Sequence, residues 1–201
     1  MPRVFTATAA KDYPNQGIQK GDQYFYWTPY REGKRRSKNR PSPSQVESNA
    51  TRAAYLSLRE DAENSLDSAL TVGDIVALLE DASSDAQSIV DELREKASNI
   101  EEGFGHETEQ SAQFNEQADD VEGWISDLGN VDRPDEPEEE PTKPERKDFP
   151  DGEIGDTDFD GALVNYEDNH AEWQEAVDGL EDTVEDFRSE ASTALGDAPD
   201  I

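Results

Sequence analysis

The sequence lacks cysteine, and its single methionine is residue 1. Without cysteine the chain can form neither a disulfide framework nor a zinc site built on thiolates. The first ten residues have no apolar segment of the kind that a secretory signal contains, and no apolar run approaches the roughly 20 residues of a membrane span. These absences predict a soluble protein that is made inside a cell, is not secreted by a signal peptide and has no membrane partner.

Basic residues are also few, with 18 Lys and Arg against 49 Asp and Glu, which gives a net charge of −31. Such acidity is typical of proteins from salt-accumulating halophiles, whose surface carboxylates hold water while salt screens their repulsion. The alternative is an acidic surface selected for one basic partner. The basic residues are unevenly placed, because residues 1–44 carry nine of them and only three acids. We call residues 1–44 the basic head.

The basic head also holds the densest aromatic run, from Tyr24 to Trp27. Aromatic and β-branched residues predict short strands, which tight turns containing glycine or asparagine connect into a β-hairpin module. These strands are expected at Val4–Thr8, Gln23–Thr28 and Arg35–Lys38. Because so few residues rarely fold alone without a metal or a disulfide, we expect the aromatic side chains to pack on the helical body.

The rest of the chain shows the 3-4 spacing of apolar residues that is typical of helices and coiled coils. A first helix is expected from about Gln45 to Ala69, with a capping box formed by Ser44 and Glu47. Three further helices are expected at about Val72–Ile100, Thr108–Leu128 and Phe159–Ala194. The short connection between the second and third helices predicts an antiparallel pair.

These patterns divide the chain into four parts. The basic head is followed by a three-helix region over 45–128, an acidic, proline-rich linker over 129–155 and a long heptad helix over 156–201. The predicted fold class is mainly α, an antiparallel helical bundle or coiled coil with a small N-terminal β-hairpin module. The last helix has five apolar heptads, which demand an apolar partner face on the second helix or on another subunit.

Two blocks of residues carry a resemblance to a known family. The first consists of Gly17-Ile18, Lys20-Gly21-Asp22, Tyr24, Trp27, Gly33-Lys34 and Pro43-Ser44, and the second of the run NIEEGFGH at 99–106, Gln110-Ser111 and Trp124. In this order and spacing, residues 11 to about 128 resemble small, uncharacterised proteins of tailed phages and related archaeal viruses. The resemblance implies a viral origin, in the host cytoplasm or the virion, and no particular activity. The relatives look as if cysteine pairs of a zinc ribbon flank this hairpin, and since this chain has none, no zinc is expected.

The basic head is the first candidate binding site. Lys and Arg neutralise phosphates, and exposed aromatic rings stack on unpaired bases. The candidate residues are Lys20, Tyr24, Tyr26, Trp27, Tyr30, Arg31, Lys34, Arg35, Arg36, Lys38 and Arg40. Three interpretations stay open, namely nucleic acid, a protein partner, and pairing of the basic side chains with the acidic helices of the same chain.

The second candidate is a calcium loop over 156–167, DTDFDGALVNYE, which fits the pattern of an EF-hand loop. Its predicted Ca²⁺ ligands are Asp156, Asp158, Asp160, the carbonyl of Ala162 and a bidentate Glu167. The alternative is the start of a helix decorated with acids, which the helix dipole favours. The two interpretations differ in the backbone, because calcium needs Asp160 and Gly161 in a loop and the alternative starts a helix near Asp158.

The remaining features point away from catalysis. The two histidines, His106 and His170, have no set of ligands around them, and His170 falls on the heptad pattern, where a polar residue sets register. The sequence has no phosphate-cradling glycine loop and no plausible Ser–His–Asp arrangement. We therefore expect a non-enzymatic viral interaction or assembly protein whose basic head docks a partner and whose helices pack or oligomerise. The alternatives are a nucleic-acid-binding accessory protein of viral DNA metabolism and a structural component of the virion.

Overall fold

The computed structural model describes residues 3–28, 33–135, 141–144 and 157–201, and the side chains of the last range from residue 164 onward. It confirms the predicted fold class, because the chain is mainly helical with a small antiparallel sheet at its N-terminus. Among the described residues no helix is both long and apolar enough to cross a membrane. Most of the linker, at 136–140 and 145–156, lies outside the described residues.

The sheet of the basic head has three strands, β1 (Phe5–Thr8), β2 (Gln23–Trp27) and β3 (Arg35–Ser37), in the order β1-β2-β3. Both neighbouring pairs are antiparallel. The head has a small hydrophobic cluster of its own, built from the buried Ala9, Ile18 and Tyr24 with Ala7, Tyr13 and Tyr26 packed against it. The tyrosines thus pack on one another within the head, whereas we expected the aromatic side chains to pack on the helical body.

The first expected helix is divided in two, and its expected cap is wrong. Helix α1 (Pro43–Val46) is capped by Ser42, whose hydroxyl accepts a hydrogen bond from the Gln45 backbone N–H. Proline at the first helical position favours this start, since its missing N–H would be unpaired there in any case. Helix α2 (Ala50–Leu66) then begins anew, with Asn49 as its cap.

The predicted antiparallel pair is formed by α3 (Val72–Phe104) and α4 (Glu109–Gly129). Gly105 ends α3 in the left-handed conformation at φ 75°, which glycine adopts without strain. Ion pairs join the helices at Arg94, which lies 3.3 Å from Asp119 and 2.7 Å from Glu122. These residues lie at similar distances from the connecting turn, as an antiparallel hairpin requires.

Helix α5 (Thr157–Gly196) completes the bundle through its C-terminal part only. Among its described side chains, from residue 164 onward, the buried ones are Phe187, Ala191 and Leu195, and they join the core formed by α2, α3 and α4. Trp124 donates from Nε1 to the carbonyl of Ala194 at 2.8 Å, and Tyr55 donates from its hydroxyl to the carbonyl of Pro199 at 3.0 Å. The end of α5 and the residues after it are therefore fixed on the bundle.

Candidate partner-binding surfaces

The turn Gln19–Asp22 sets the shape of the basic head. Gly21 occupies the turn at φ 97°, a value that favours glycine. The carboxylate of Asp22 accepts from the Gln19 backbone N–H at 3.1 Å and lies 3.3 Å from Lys38 Nζ. The hydrogen bond from Gln19, followed by the one from Lys38, lowers the pKa of Asp22. This carboxylate thus ties the turn before β2 to the residue that follows β3.

One face of the sheet combines tyrosine rings with cations. Phe5, Tyr26 and Arg36 are direct neighbours across the three strands, and side chains opposite each other on adjacent strands share a face. Lys34 Nζ lies 3.5 Å from the centroid of the Tyr26 ring, and Arg36 Cζ lies 4.6 Å from that of Tyr13. We call Tyr13, Tyr26, Lys34 and Arg36 the cation–tyrosine face.

The rings of this face already have partners within the head. Phe5 stacks on Tyr26 with centroids 5.4 Å apart, Lys34 covers the same tyrosine, and Lys11 lies 5.7 Å from the centroid of Tyr13. A ring that carries a cation or another ring is less available for stacking on a base. The geometry therefore presents positive charge outward, on a support of tyrosine rings.

Tyr24 and Trp27 were candidate stacking residues, but both are buried, with 6 % and 5 % of their surface exposed. Tyr24 is part of the hydrophobic cluster of the head. Trp27 lies in the register of Arg35 on the opposite face of the sheet, and its buried Nε1 has no hydrogen-bond partner among the described residues. Of the candidate rings on β2, only Tyr26 is partly exposed. The geometry therefore gives little support to the expected stacking of these rings on bases.

The candidate basic residues are mostly exposed. Lys20, Lys34, Arg35, Lys38 and Arg40 are exposed, and Arg36 is half-buried against the tyrosines. Lys38 is paired with Asp22 within the head. In the part of the chain that the structure describes, Lys34, Arg36 and Arg40 form no ion pair with the acidic helices. Tyr30 and Arg31 lie outside the described residues.

The backbone of the predicted calcium loop follows the helical alternative. Helix α5 starts at Thr157, so that Asp158, Asp160 and Ala162 lie in its first two turns and Glu167 lies further along it. Asp156 is outside the described residues. An EF-hand loop wraps its ligands around the ion, whereas helical residues two apart are separated by about 200° around the axis. The backbone from Asp158 to Glu167 is therefore that of a helix and not of a calcium loop, and it does not test calcium binding itself.

Helix α5 carries a second candidate surface, which was expected from its heptads. Between residues 164 and 180 its half-buried residues are Tyr166, His170, Trp173, Val177 and Leu180, in alternating steps of four and three. We call His170, Trp173, Val177 and Leu180 the α5 seam. The rings of His170 and Trp173 are in contact, with centroids 5.3 Å apart. From the short described piece of the linker, the Pro141 carbonyl accepts from Trp173 Nε1 at 3.1 Å and Lys143 lies 5.1 Å from the centroid of the Trp173 ring.

Sequence reasoning missed part of the first surface. Tyr13, which supports Arg36, and Phe5, which stacks on Tyr26, were not among the candidate residues. Their signal was weak because each is isolated from the aromatic run in the sequence. Only the pairing of β1 with β2 and the bridge between Tyr13 and Ile18 bring them to the same face.

Comparison with known proteins adds no identification. No protein-family profile, curated protein or solved structure matches the chain.

Proposed function

We propose that this chain is a non-catalytic interaction protein whose basic head docks on an acidic surface of a protein partner. One observation carries the proposal. The remainder of the chain is strongly acidic, yet Lys34, Arg36 and Arg40 have no carboxylate partner on the helices within the described ranges. Surface cations that are left unpaired beside so many acids are available to a second molecule.

The choice of a protein partner over nucleic acid rests on the aromatic rings. Proteins that bind single strands combine cations with rings on which successive bases stack. Here Trp27 and Tyr24 are buried, and the ring of Tyr26 is covered by Lys34 and Phe5. The cations remain as the recognition element, and cations alone recognise carboxylates as well as phosphates. A carboxylate-rich protein surface therefore suits this face better than an unpaired strand.

The acidic body supports the same role by limiting non-specific contacts. Its surplus of carboxylates repels nucleic acid and other acidic proteins at long range, so that only a close approach to the head is favourable. The resemblance of the head and the helices to viral proteins supports a role in viral assembly. We propose the head as the docking element and the long helices as the elements that hold copies or partners together.

Replacement of single head cations tests this proposal. We expect Arg36→Ala and Arg40→Ala each to weaken binding of the full chain to a polyglutamate peptide by about two- to fivefold, which corresponds to one exposed ion pair. Arg133→Ala removes an arginine of the acidic body that is exposed like Arg40 and serves as the matched control, with no expected effect. Fluorescence anisotropy at low salt measures all three variants.

The same titration with a single-stranded oligonucleotide separates the alternatives. If the oligonucleotide binds more tightly than polyglutamate and Arg36→Ala weakens it, the partner is nucleic acid and the proposed acidic protein is wrong. Unchanged binding of both probes by both head variants would show that the basic head is not the docking surface.

A further inference from the structure

We propose that the α5 seam is a homotypic interface, on which the same seam of a second copy of this chain packs as a two-helix coiled coil. This inference deepens the association part of the proposed function, because it names the surface and the partner. It does not depend on the basic head, which belongs to a different part of the chain. Three properties of α5 support such an interface, namely its packing, its charge pattern and its polar layer.

The packing of α5 divides the helix at Val184. From Val184 onward its apolar residues join the core of the bundle. Before that point the α5 seam continues the same 3-4 pattern, but His170, Trp173, Val177 and Leu180 are only half-buried and none of them belongs to the core. Among the described residues the bundle thus offers a partner face to the second half of this heptad pattern and not to the first, which is typical of a helix that completes its packing in an assembly.

The acidic residues of α5 are placed away from the seam. Between residues 167 and 183, seven positions lie on the outer side of the helix, and five of them are acidic, namely Asp168, Glu172, Glu175, Asp178 and Asp182. The six positions that border the seam are Glu167, Asn169, Gln174, Ala176, Glu181 and Thr183, of which only two are acidic. The borders are thus less acidic than the outer side, and this matters because the bordering residues are those that face the partner helix in a coiled coil.

This charge pattern favours a second copy over a basic partner. A basic helix would be recognised by acids at the bordering positions, as complementary charges there set partner choice. A second copy of an acidic helix instead requires that no bordering acid opposes another, because like charges across the interface repel. In a parallel pair, Glu181 would face Ala176 of the second copy, and Gln174 would face Asn169. No acid opposes an acid in that arrangement.

The polar groups of the seam are also compatible with burial. Trp173 Nε1 already donates to the Pro141 carbonyl at 3.1 Å, and Lys143 lies 5.1 Å from the centroid of the ring. The indole donor is therefore paired, and the second helix would pack beside this linker segment. His170 is the polar member of the seam, and a single polar residue in such a layer fixes register at some expense of stability. The contacts of its ring with Tyr166 and Trp173 hold it along the face.

Sedimentation equilibrium of the full chain tests the proposal. We expect a monomer–dimer equilibrium that Val177→Glu weakens at least tenfold, because it places a charge within the buried layer. Ala171→Glu adds the same charge at an exposed outer position of the same helix, and we expect it to change the dimer constant by less than about threefold. Leu180→Gln, which is neutral, should also weaken the dimer, and circular dichroism verifies that each variant keeps its helix content.

Salt distinguishes the possible partners. Added NaCl should strengthen a dimer of two acidic helices, because it screens their repulsion, whereas it would weaken a complex with a basic partner. A chain that stays monomeric at high protein concentration in both low and high salt would overturn the proposal. The proposal would also be overturned if Val177→Glu and Ala171→Glu weakened the dimer equally. The variants Arg36→Ala and Arg40→Ala should leave the dimer constant unchanged. The head variants therefore test docking alone and the α5 variants test the dimer alone, so either proposal can fail without the other.

Discussion

Asp22 is a residue whose single carboxylate connects two segments of the basic head. It accepts a hydrogen bond from the Gln19 backbone and pairs with Lys38 beyond β3. Both contacts favour the charged carboxylate and lower its pKa. A group with a lowered folded-state pKa contributes stability above its unfolded pKa, and that contribution is lost as the pH falls through the folded pKa.

We therefore expect the Asp22 carboxyl to titrate in the folded chain with a midpoint below its ordinary value of 3.8. In Lys38→Ala the midpoint should rise but stay below that value, because the hydrogen bond from Gln19 is the larger cause. The carboxyl carbon shift of Asp22 in a nuclear magnetic resonance titration measures both midpoints. Asp22→Asn should lower the free energy of unfolding by its full amount at pH 7 and by nothing below the midpoint of Asp22 in the folded chain. A loss in free energy of unfolding that stays constant down to pH 2 would contradict this.

Tyr55 shows why single residues of the core were harder to predict than the helices that carry them. Its side chain is 1 % exposed and packs edge-on against Trp124, with ring centroids 5.8 Å apart. Its hydroxyl donates a hydrogen bond to the Pro199 carbonyl. The sequence did not mark it as a core residue, because tyrosine has a polar end. Its burial depends on an acceptor 144 residues away in the chain, a contact that no local pattern contains.

At the scale of elements, helices with strong periodicity were predicted well and their ends less so. Helix α3 begins at the expected Val72, and a glycine ends it. The predicted cap of α1 was wrong, because two serines flank Pro43 and Ser42 is the one that caps the helix. Ser44 instead donates to the Glu60 carboxylate, from its backbone N–H at 3.0 Å and from its hydroxyl at 2.7 Å. We expected Ser44 to be the cap, but the carboxylate of Glu60 on α2 binds its backbone N–H and its hydroxyl, a contact that no local pattern contains.

The first turns of α5 give a prediction about calcium. Because Asp158 and Asp160 already lie in a helix, binding of calcium would require these turns to unwind at the expense of their backbone hydrogen bonds. We expect calorimetric titration with CaCl₂ to give no saturable heat below about 1 mM, the weak end of the range for such loops, and no change in helix content. Heat that saturates at one ion per chain and disappears in Asp160→Asn would instead establish the calcium loop.

At the scale of the whole molecule, the head and the helical body have separate hydrophobic clusters. The sequence suggested this division through composition, because the basic and aromatic residues end where the helices begin. It did not suggest that the tyrosines would form their own small core. Their packing depends on strand pairing between residues 5–8 and 23–27, which local patterns leave open.

The net charge of −31 makes the stability of the molecule dependent on salt. Few ion pairs in the described part of the chain offset the repulsion that this charge causes. Those on the helices are partly exposed, and exposed ion pairs contribute little to stability. Repulsion among the remaining carboxylates disfavours the compact state, and salt shortens its range from about 10 Å at 0.1 M to about 3 Å at 1 M. Folding should therefore be favoured as salt increases.

We expect the midpoint of thermal unfolding, followed by circular dichroism at low protein concentration, to rise steadily between 0.05 M and 1 M NaCl. Most of the rise should come below about 0.5 M, because screening over the distances between surface carboxylates is then nearly complete. Sucrose at matched osmolality is the control for general solvent exclusion, which acts without charge. A flat midpoint over this range would mean that the carboxylates do not oppose folding, and the acidity would then be explained better by a basic partner than by adaptation to salt.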